Sequence, residues 1–391
     1  MKYYLEKLKE FERAAGALEN GAKSVYISEA AKSAYADIIN AFMRRCGKNA
    51  LVVTENMYEA RILKDDLDFY FGEGTAVVFP AKDYIFHNIE TSAAQIVQAR
   101  LGVIESVMSG NAKIIIAPSD AVMQYTIPRN MYEKYRITFR IGETVEQSSL
   151  SEKLTIMGYS RSDAVEGVGQ FCIRGGILDV FPPSSKNPIR IEFFDDEVDT
   201  VRYFDAQSQL TISQVDICTV APCREMIYED TEKICEEIKQ YPQTEWTESD
   251  IDKFKEEYYF PAADRYIPVI YKKISTIFEY IDDEYAVFLL SPDRLGDRAH
   301  AFEKEITGEL VQFAENDALP IIKGDYVIPL KKALESLSAQ CIVLSDFTAD
   351  TQLVKPEMYF NFESRSVPSY AGNISLIADD IVKWHDGSYA I

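Results

Sequence analysis

Histidine is scarce in this 391-residue sequence: His87, His300 and His385 are the only three, and they lie far apart. The six cysteines, at positions 46, 172, 218, 223, 235 and 341, form no Cys-x-x-Cys pair. Zinc sites announce themselves by clustered ligand spacing, so no metal site is expected. Cysteines spaced this way read as reduced thiols in a cytoplasm, not as a disulfide framework. No apolar run approaches the roughly 18–20 residues that cross a bilayer. The opening Met1-Lys2-Tyr3-Tyr4-Leu5-Glu6-Lys7 lacks the unbroken apolar block of a signal peptide. Neither a membrane nor a secreted protein is expected. Basic residues are also in deficit, 41 Lys and Arg against 63 Asp and Glu, which leaves a net charge of −22. Duplex affinity comes from cations that neutralise phosphates, so this average charge does not suit a nonspecific DNA clamp. A local basic patch is compatible with that bound.

What is present is ordinary globular material, 47% hydrophobic and 27% charged. The length is enough for two to three domains. Short β-like runs at Ser24–Ile27, Ala50–Val53, Thr75–Phe79 and Lys113–Ala117 alternate with helical stretches at Glu29–Arg45, Asn56–Tyr70 and Ala93–Met108. Alternation of this kind predicts an α/β domain built on a parallel sheet. From about Phe171 to Val220 the pattern becomes short strands separated by turn signals, such as Arg174-Gly175-Gly176 and Asp195-Asp196-Glu197. Connections that short predict antiparallel hairpins. Helices are expected again at Glu225–Gln240 and Glu248–Tyr258, both acidic and surface-lying. Ala286–Leu290 and Cys341–Leu344 are strand candidates for the first sheet. The expected fold is therefore a discontinuous, RecA-like α/β domain with a small antiparallel β-rich domain inserted in it. Its parts are residues 1–128, the insert 129–220, and residues 221–370. Asn373–Trp384 reads as an amphipathic helix, and Gly387–Ile391 as the opening of a strand. Residues 371–391 are expected to begin a further domain of a longer polypeptide.

Strand one runs into helix one through Tyr26-Ile27-Ser28-Glu29-Ala30-Ala31-Lys32-Ser33, the place where a GxxxxGK[ST] phosphate loop would sit. Lys32 and Ser33 fit its ending, but Tyr26 and Ala31 stand at the glycine positions. Side chains there obstruct the curl of backbone N–H groups around phosphate, and Glu29 adds negative charge. The magnesium-binding partner element needs a carboxylate directly after an apolar strand. After Val287–Leu290 comes Ser291-Pro292-Asp293, with the acid displaced. Lys32 and Ser33 are read as a vestige, and no cofactor or ATP hydrolysis is expected.

Strand alternation in Gln170–Arg174 sends Phe171 and Ile173 to one face, Cys172 and Arg174 to the other. Ile189, Ile191 and Phe193 likewise share a core face, opposite Arg190, Glu192 and Phe194. An exposed Phe beside an Arg fits an interface hot spot. It equally fits a surface ring covered by an arginine stem.

The runs Gly158-Tyr159, Val165-Glu166-Gly167-Val168-Gly169-Gln170-Phe171, Arg174-Gly175-Gly176-Ile177-Leu178-Asp179-Val180-Phe181-Pro182 and Arg190-Ile191-Glu192-Phe193-Phe194-Asp195-Asp196-Glu197-Val198-Asp199 closely resemble the UvrB-homology module of bacterial transcription-repair coupling factors. The likeness is dense over about Leu154–Phe204. It is weaker but collinear in the flanks, including Phe79-Pro80-Ala81-Lys82-Asp83 and Ile115–Gln124. Members of that family displace stalled RNA polymerase and recruit the excision-repair protein UvrA. The resemblance implies that Arg174, Arg190 and Phe194 contact UvrA, with Arg202 at the rim. Because alternation turns all three outward, truncating any of them is expected to leave folding nearly unchanged. RNA polymerase and DNA would be engaged by carboxy-terminal domains absent from this sequence, where ATP and magnesium would also act. The alternative is UvrB itself, a damage-verifying ATPase with a DNA-clamping hairpin. Lys82–Glu90 is too short for that hairpin.

Overall fold

The apolar blocks at Val25–Ile27, Ala50–Val53, Ile114–Ala117 and Val287–Leu290 are continuous, not alternating, the pattern of strands covered on both faces. In the computed structural model they are the centre of a parallel sheet. The structure describes residues 5–83, 93–256, 260–271, 273–315, 325–347, 351–364, 370 and 372–386. In chain order the strands are β1 Ser24–Ser28, β2 Asn49–Thr54, β3 Ala76–Val78 and β4 Ile114–Pro118. Then come β5 Ile137–Arg140, β6 Ser160–Arg161, β7 Gln170–Arg174, β8 Ile177–Val180, β9 Ile189–Phe194, β10 Glu197–Phe204, β11 Thr211–Val215 and β12 Ile217–Val220. The last three are β13 Tyr285–Leu290, β14 Gln340–Leu344 and β15 Met358–Asn361.

Among the described residues β1–β4 and β13–β15 form one seven-stranded sheet in the order β15-β1-β14-β13-β2-β4-β3, every pairing parallel. β13 and β14 join it as the sequence predicts, so the α/β domain is discontinuous about the β-rich segment. β15 is not among the strands expected from the sequence. It is an edge strand of four residues whose only buried side chain is Phe360. The helices Met57–Phe71 and Ala93–Met108 match expectation, the first capped by the Asn56 side chain accepting from Glu59 N–H.

Between β4 and β13, strands β6–β11 form a six-stranded sheet, antiparallel except for β6, while β5 pairs with β12. The inner face of the larger sheet carries the rows Phe171–Val180–Ile189–Tyr203 and Ile173–Leu178–Ile191–Val201. Its buried members belong to the same apolar cluster as Leu51, Val53, Ile115 and Leu289 of the parallel sheet. The insert and its host thus share one core.

A buried polar hub also joins them. Arg100, on the helix Ala93–Met108, is wholly buried and donates from Nε to Glu225 Oε1 at 2.8 Å, with further bonds to the Pro80 and Tyr125 carbonyls. Thr126 Oγ1 donates to the same carboxylate at 2.7 Å, and Lys82 Nζ lies 3.3 Å from Glu225 Oε2 and 3.6 Å from Asp264. Two cations and two carboxylates balance, as burial of charge requires.

This hub corrects the expectation of a surface helix from Glu225. Glu225 is buried, and the helix begins only at Thr231, where Asp230 caps it by accepting from Lys233 N–H. Asp250 departs in the same way. Within the acidic helix Glu245–Lys255 it is fully buried, accepting from Arg265 at 2.9 Å and from the Tyr266 hydroxyl at 2.8 Å. A run of acids marks a solvated face only if no buried cation claims one of them. The tail helix runs Ile374–Asp386, as predicted. The strand expected at Gly387–Ile391, and residues 84–90 of the segment judged too short for a DNA-clamping hairpin, lie outside the described residues.

Candidate functional site

The Gly175-Gly176 turn joins β7 to β8 with φ of 54° and 82°, left-handed at both positions as a tight two-residue hairpin demands. It closes on the pair Arg174–Ile177, and the next hairpin but one closes on Phe194–Glu197. β7 and β9 run in the same direction with β8 between them, so Arg174 and Phe194 reach the same end of the sheet. In register Arg174 lies level with Glu192, with Phe194 two residues beyond, so two strand spacings and two residue rises separate them by about 12 Å. Both project from the outer face, opposite the core rows. Phe194 is 77% exposed, and Ile177 is half that at 36%. The Arg174 side chain is exposed and makes no hydrogen bond or ion pair among the described residues. Phe193 faces inward as predicted, half-buried with its ring 6.2 Å from that of Phe139.

Arg190 sits on the same face. Its fork is already filled: Nε donates to Asp179 Oδ1 at 2.7 Å and Nη2 to Asp179 Oδ2 at 2.8 Å. Nη2 also reaches Gln209 Oε1 at 3.2 Å, and the guanidinium lies 4.6 Å above the buried Phe204 ring. Only 24% of the side chain is exposed. The register explains this, since Asp179 and Arg190 are direct cross-strand partners on β8 and β9. The bonds to Asp179 raise the guanidinium pKa still further, fixing its charge. An arginine held this way cannot offer a two-pronged grip to a partner. Cys172, on the same face, is also covered, packed with Val165, Phe204 and Phe181.

Arg202, the rim candidate, is half-buried and pairs with Glu192. Glu192 also accepts from Thr200 Oγ1 at 3.0 Å. The sheet face therefore presents a free cation and a bare ring at one end, with compensated charges behind them. Sequence reading missed Asp179 and Gln209. The signal for Asp179 was a carboxylate between Leu178 and Val180 in an otherwise apolar strand.

At the other candidate site, the end of β1, Glu29 takes a left-handed φ of 51°. The helix expected from Glu29 begins only at Tyr35, after a 3-10 turn over Lys32–Ala34. Two of the loop's backbone donors are engaged: Ala30 N–H donates to the Ser345 carbonyl at 2.9 Å and Ala31 N–H to Ser364 Oγ at 2.5 Å. Lys32 Nζ lies 3.8 Å from Glu59, and Ser33 points to solvent. The cavity here is about 50 Å³, lined by Glu55, Glu59 and Asp66 beside Lys32 and Tyr35. Ligand pockets typically measure about 300–1,000 Å³. Burial raises the pKa of Asp66, and it pushes the Tyr35 hydroxyl up to about 12. After β13, Ser291 is also left-handed, and Pro292 starts the next helix, leaving Asp293 exposed.

Residues 137–226 match the family described as the UvrB interaction domain, a span that holds Arg174, Arg190, Phe194 and Arg202. The chain is 24% identical over 99% of its length to the transcription-repair-coupling factor of Bacillus subtilis (strain 168). It is 25% identical over 95% of its length to the transcription-repair-coupling factor of Staphylococcus aureus (strain Mu50 / ATCC 700699). It spans about a third of the length of these relatives, 34% and 33% respectively. The likeness read from the sequence to the amino-terminal region of such factors is upheld along nearly the whole chain. The fold agrees with it: mixed α/β, with a parallel sheet and a separate antiparallel β-rich region. No helix among the described residues is long and apolar enough to cross a membrane.

Proposed function

We propose that this chain is a protein-recruiting region of a transcription-coupled repair factor, and that it binds UvrA through the outer face of β7–β9. The observation that carries this is the exposed Phe194 ring near the uncompensated Arg174, inside the span that matches the UvrB interaction domain. A large apolar side chain left bare on a sheet face, with a cation close by, has the composition of an interface hot spot. Phe194 would fill an apolar pocket. Arg174 would give a carboxylate the two-pronged, charge-assisted contact that lysine cannot make. Arg202 sits behind them as a rim residue. Arg190 contributes from its fixed position.

In this reading the parallel-sheet domain is a scaffold without ATPase activity, and the chain itself uses no cofactor or metal. The occupied N–H groups of Ala30 and Ala31, and the Glu59 carboxylate beside Lys32, support that. RNA polymerase, DNA, ATP and magnesium are assigned to regions of the longer relatives that this chain does not span. The setting is the bacterial cytoplasm. Calorimetric titration of UvrA into the chain tests the reading: saturable binding lost in Phe194→Ala is expected. No binding by the wild-type chain would overturn it.

A further inference from the structure

Of the three guanidinium nitrogens of Arg190, two are claimed inside the sheet. Nε and Nη2 take both oxygens of Asp179, which is only 3% exposed. Gln209 and the ring of Phe204 hold the group from the side and from below. Nη1 has no partner among the described residues, and it is not among the sealed polar atoms. A long, flexible side chain has thereby been reduced to one outward N–H edge in a fixed place.

We propose that Asp179 is a positioning residue of the docking face, one that holds the Arg190 fork inward so that Nη1 alone meets a hydrogen-bond acceptor on the partner. This rests on the docking reading above and specifies how one of its residues takes part. Two physical effects oppose each other here. Asp179 neutralises Arg190 and so weakens any long-range pull on an acidic partner. It also removes the rotamer freedom that a free arginine would lose on binding, and prealigned groups bind more tightly for that reason. Turning the fork outward would strand a buried carboxylate, which the interior does not tolerate. Alignment therefore outweighs neutralisation.

The experiment is a double-mutant cycle on the full chain, with UvrA affinity and thermal melting both measured. Asp179→Asn keeps the shape but loses one acceptor and the charge, and is expected to weaken UvrA binding about tenfold. Arg190→Lys keeps a cation for Asp179, so it folds, but it has no Nη1 edge, and a similar loss is expected. In the Arg190→Lys background, Asp179→Asn is expected to cause no further loss of affinity. Equal losses in both backgrounds would show that Asp179 acts through the fold, and would overturn the proposal. Wild-type or tighter binding by Asp179→Asn would overturn it as well. If Phe194→Ala abolishes binding while Asp179→Asn does not weaken it, only this inference fails. If the wild-type chain does not bind UvrA at all, the docking reading fails first.

Discussion

Arg100 and Glu225 stand 125 residues apart in the chain and 2.8 Å apart in space, with both side chains almost completely sealed from water. One lies on a helix of the parallel-sheet domain, the other just past the last strand of the β-rich insert. Their contact fixes where the insert leaves its host. Breaking a buried pair leaves a bare charge, at a cost of about 3–5 kcal/mol. Arg100→Met should therefore lower the melting temperature sharply. A shift like that of a surface variant would show that Lys82 alone suffices for Glu225.

The same pair predicts a pH dependence. Burial by itself would raise the pKa of Glu225, but Arg100 and Lys82, with hydrogen bonds from Thr126 and Arg100, hold it below its ordinary 4.5. A carboxylate depressed in the folded state stabilises the fold at pH values above its unfolded pKa. That contribution is lost as pH falls below about 4.5 and through the lower folded value. Denaturant midpoints should thus fall on acidification, and less steeply in Glu225→Gln, which starts less stable. Parallel profiles for the two proteins would sink the assignment.

Arg190→Ala and Arg174→Ala should part company in stability, against the expectation that both are free surface residues. Removing Arg190 orphans Asp179 and should cost about 3 kcal/mol. Removing Arg174 should stay within about 0.5 kcal/mol. Urea midpoints decide it, and equal midpoints would mean the Asp179 bonds contribute nothing.

Phe194→Ala and Phe193→Ala are adjacent residues with opposite expected phenotypes. Phe194→Ala should leave melting unchanged and weaken UvrA binding by about 2 kcal/mol or more. Phe193, half-buried against Phe139, should cost about 2 kcal/mol of stability, below the roughly 3–5 of a fully buried ring. Exchanged phenotypes would place the strand one residue out of register.

Gly158 has φ of 95°, and a Cβ there would lie 2.8 Å from Arg224 Cγ. Backbone strain and the clash add, so Gly158→Ala should destabilise by about 2 kcal/mol or more. A neutral substitution would show that Arg224 swings aside freely.

ATP with magnesium should give no saturable heat up to millimolar nucleotide. Ala31→Gly should not restore binding, since the backbone N–H there is already bonded to Ser364 and Lys32 faces Glu59. A micromolar dissociation constant, about −8 kcal/mol, would overturn this.

Much of this architecture is local, and so it is written in the sequence. Unbroken apolar blocks such as Val287–Leu290, short and alternating with helical stretches, read as strands covered on both faces. The Gly175-Gly176 turn sets the hairpin, and strand alternation then puts Phe193 inside and Phe194 outside without any tertiary knowledge. The departure from a phosphate-loop pattern is equally legible, because Tyr26 and Ala31 stand at its glycine positions. What the sequence could not decide was which charged groups find each other. Nothing within ten residues of Glu225 marks it as buried, since its cations come from Lys82 and Arg100. Arg190 alternates outward just as Phe194 does, yet it is held down by Asp179, its partner on the neighbouring strand. Alternation assigns a face, but only cross-strand register and the covering loops determine whether a side chain on that face is free to bind.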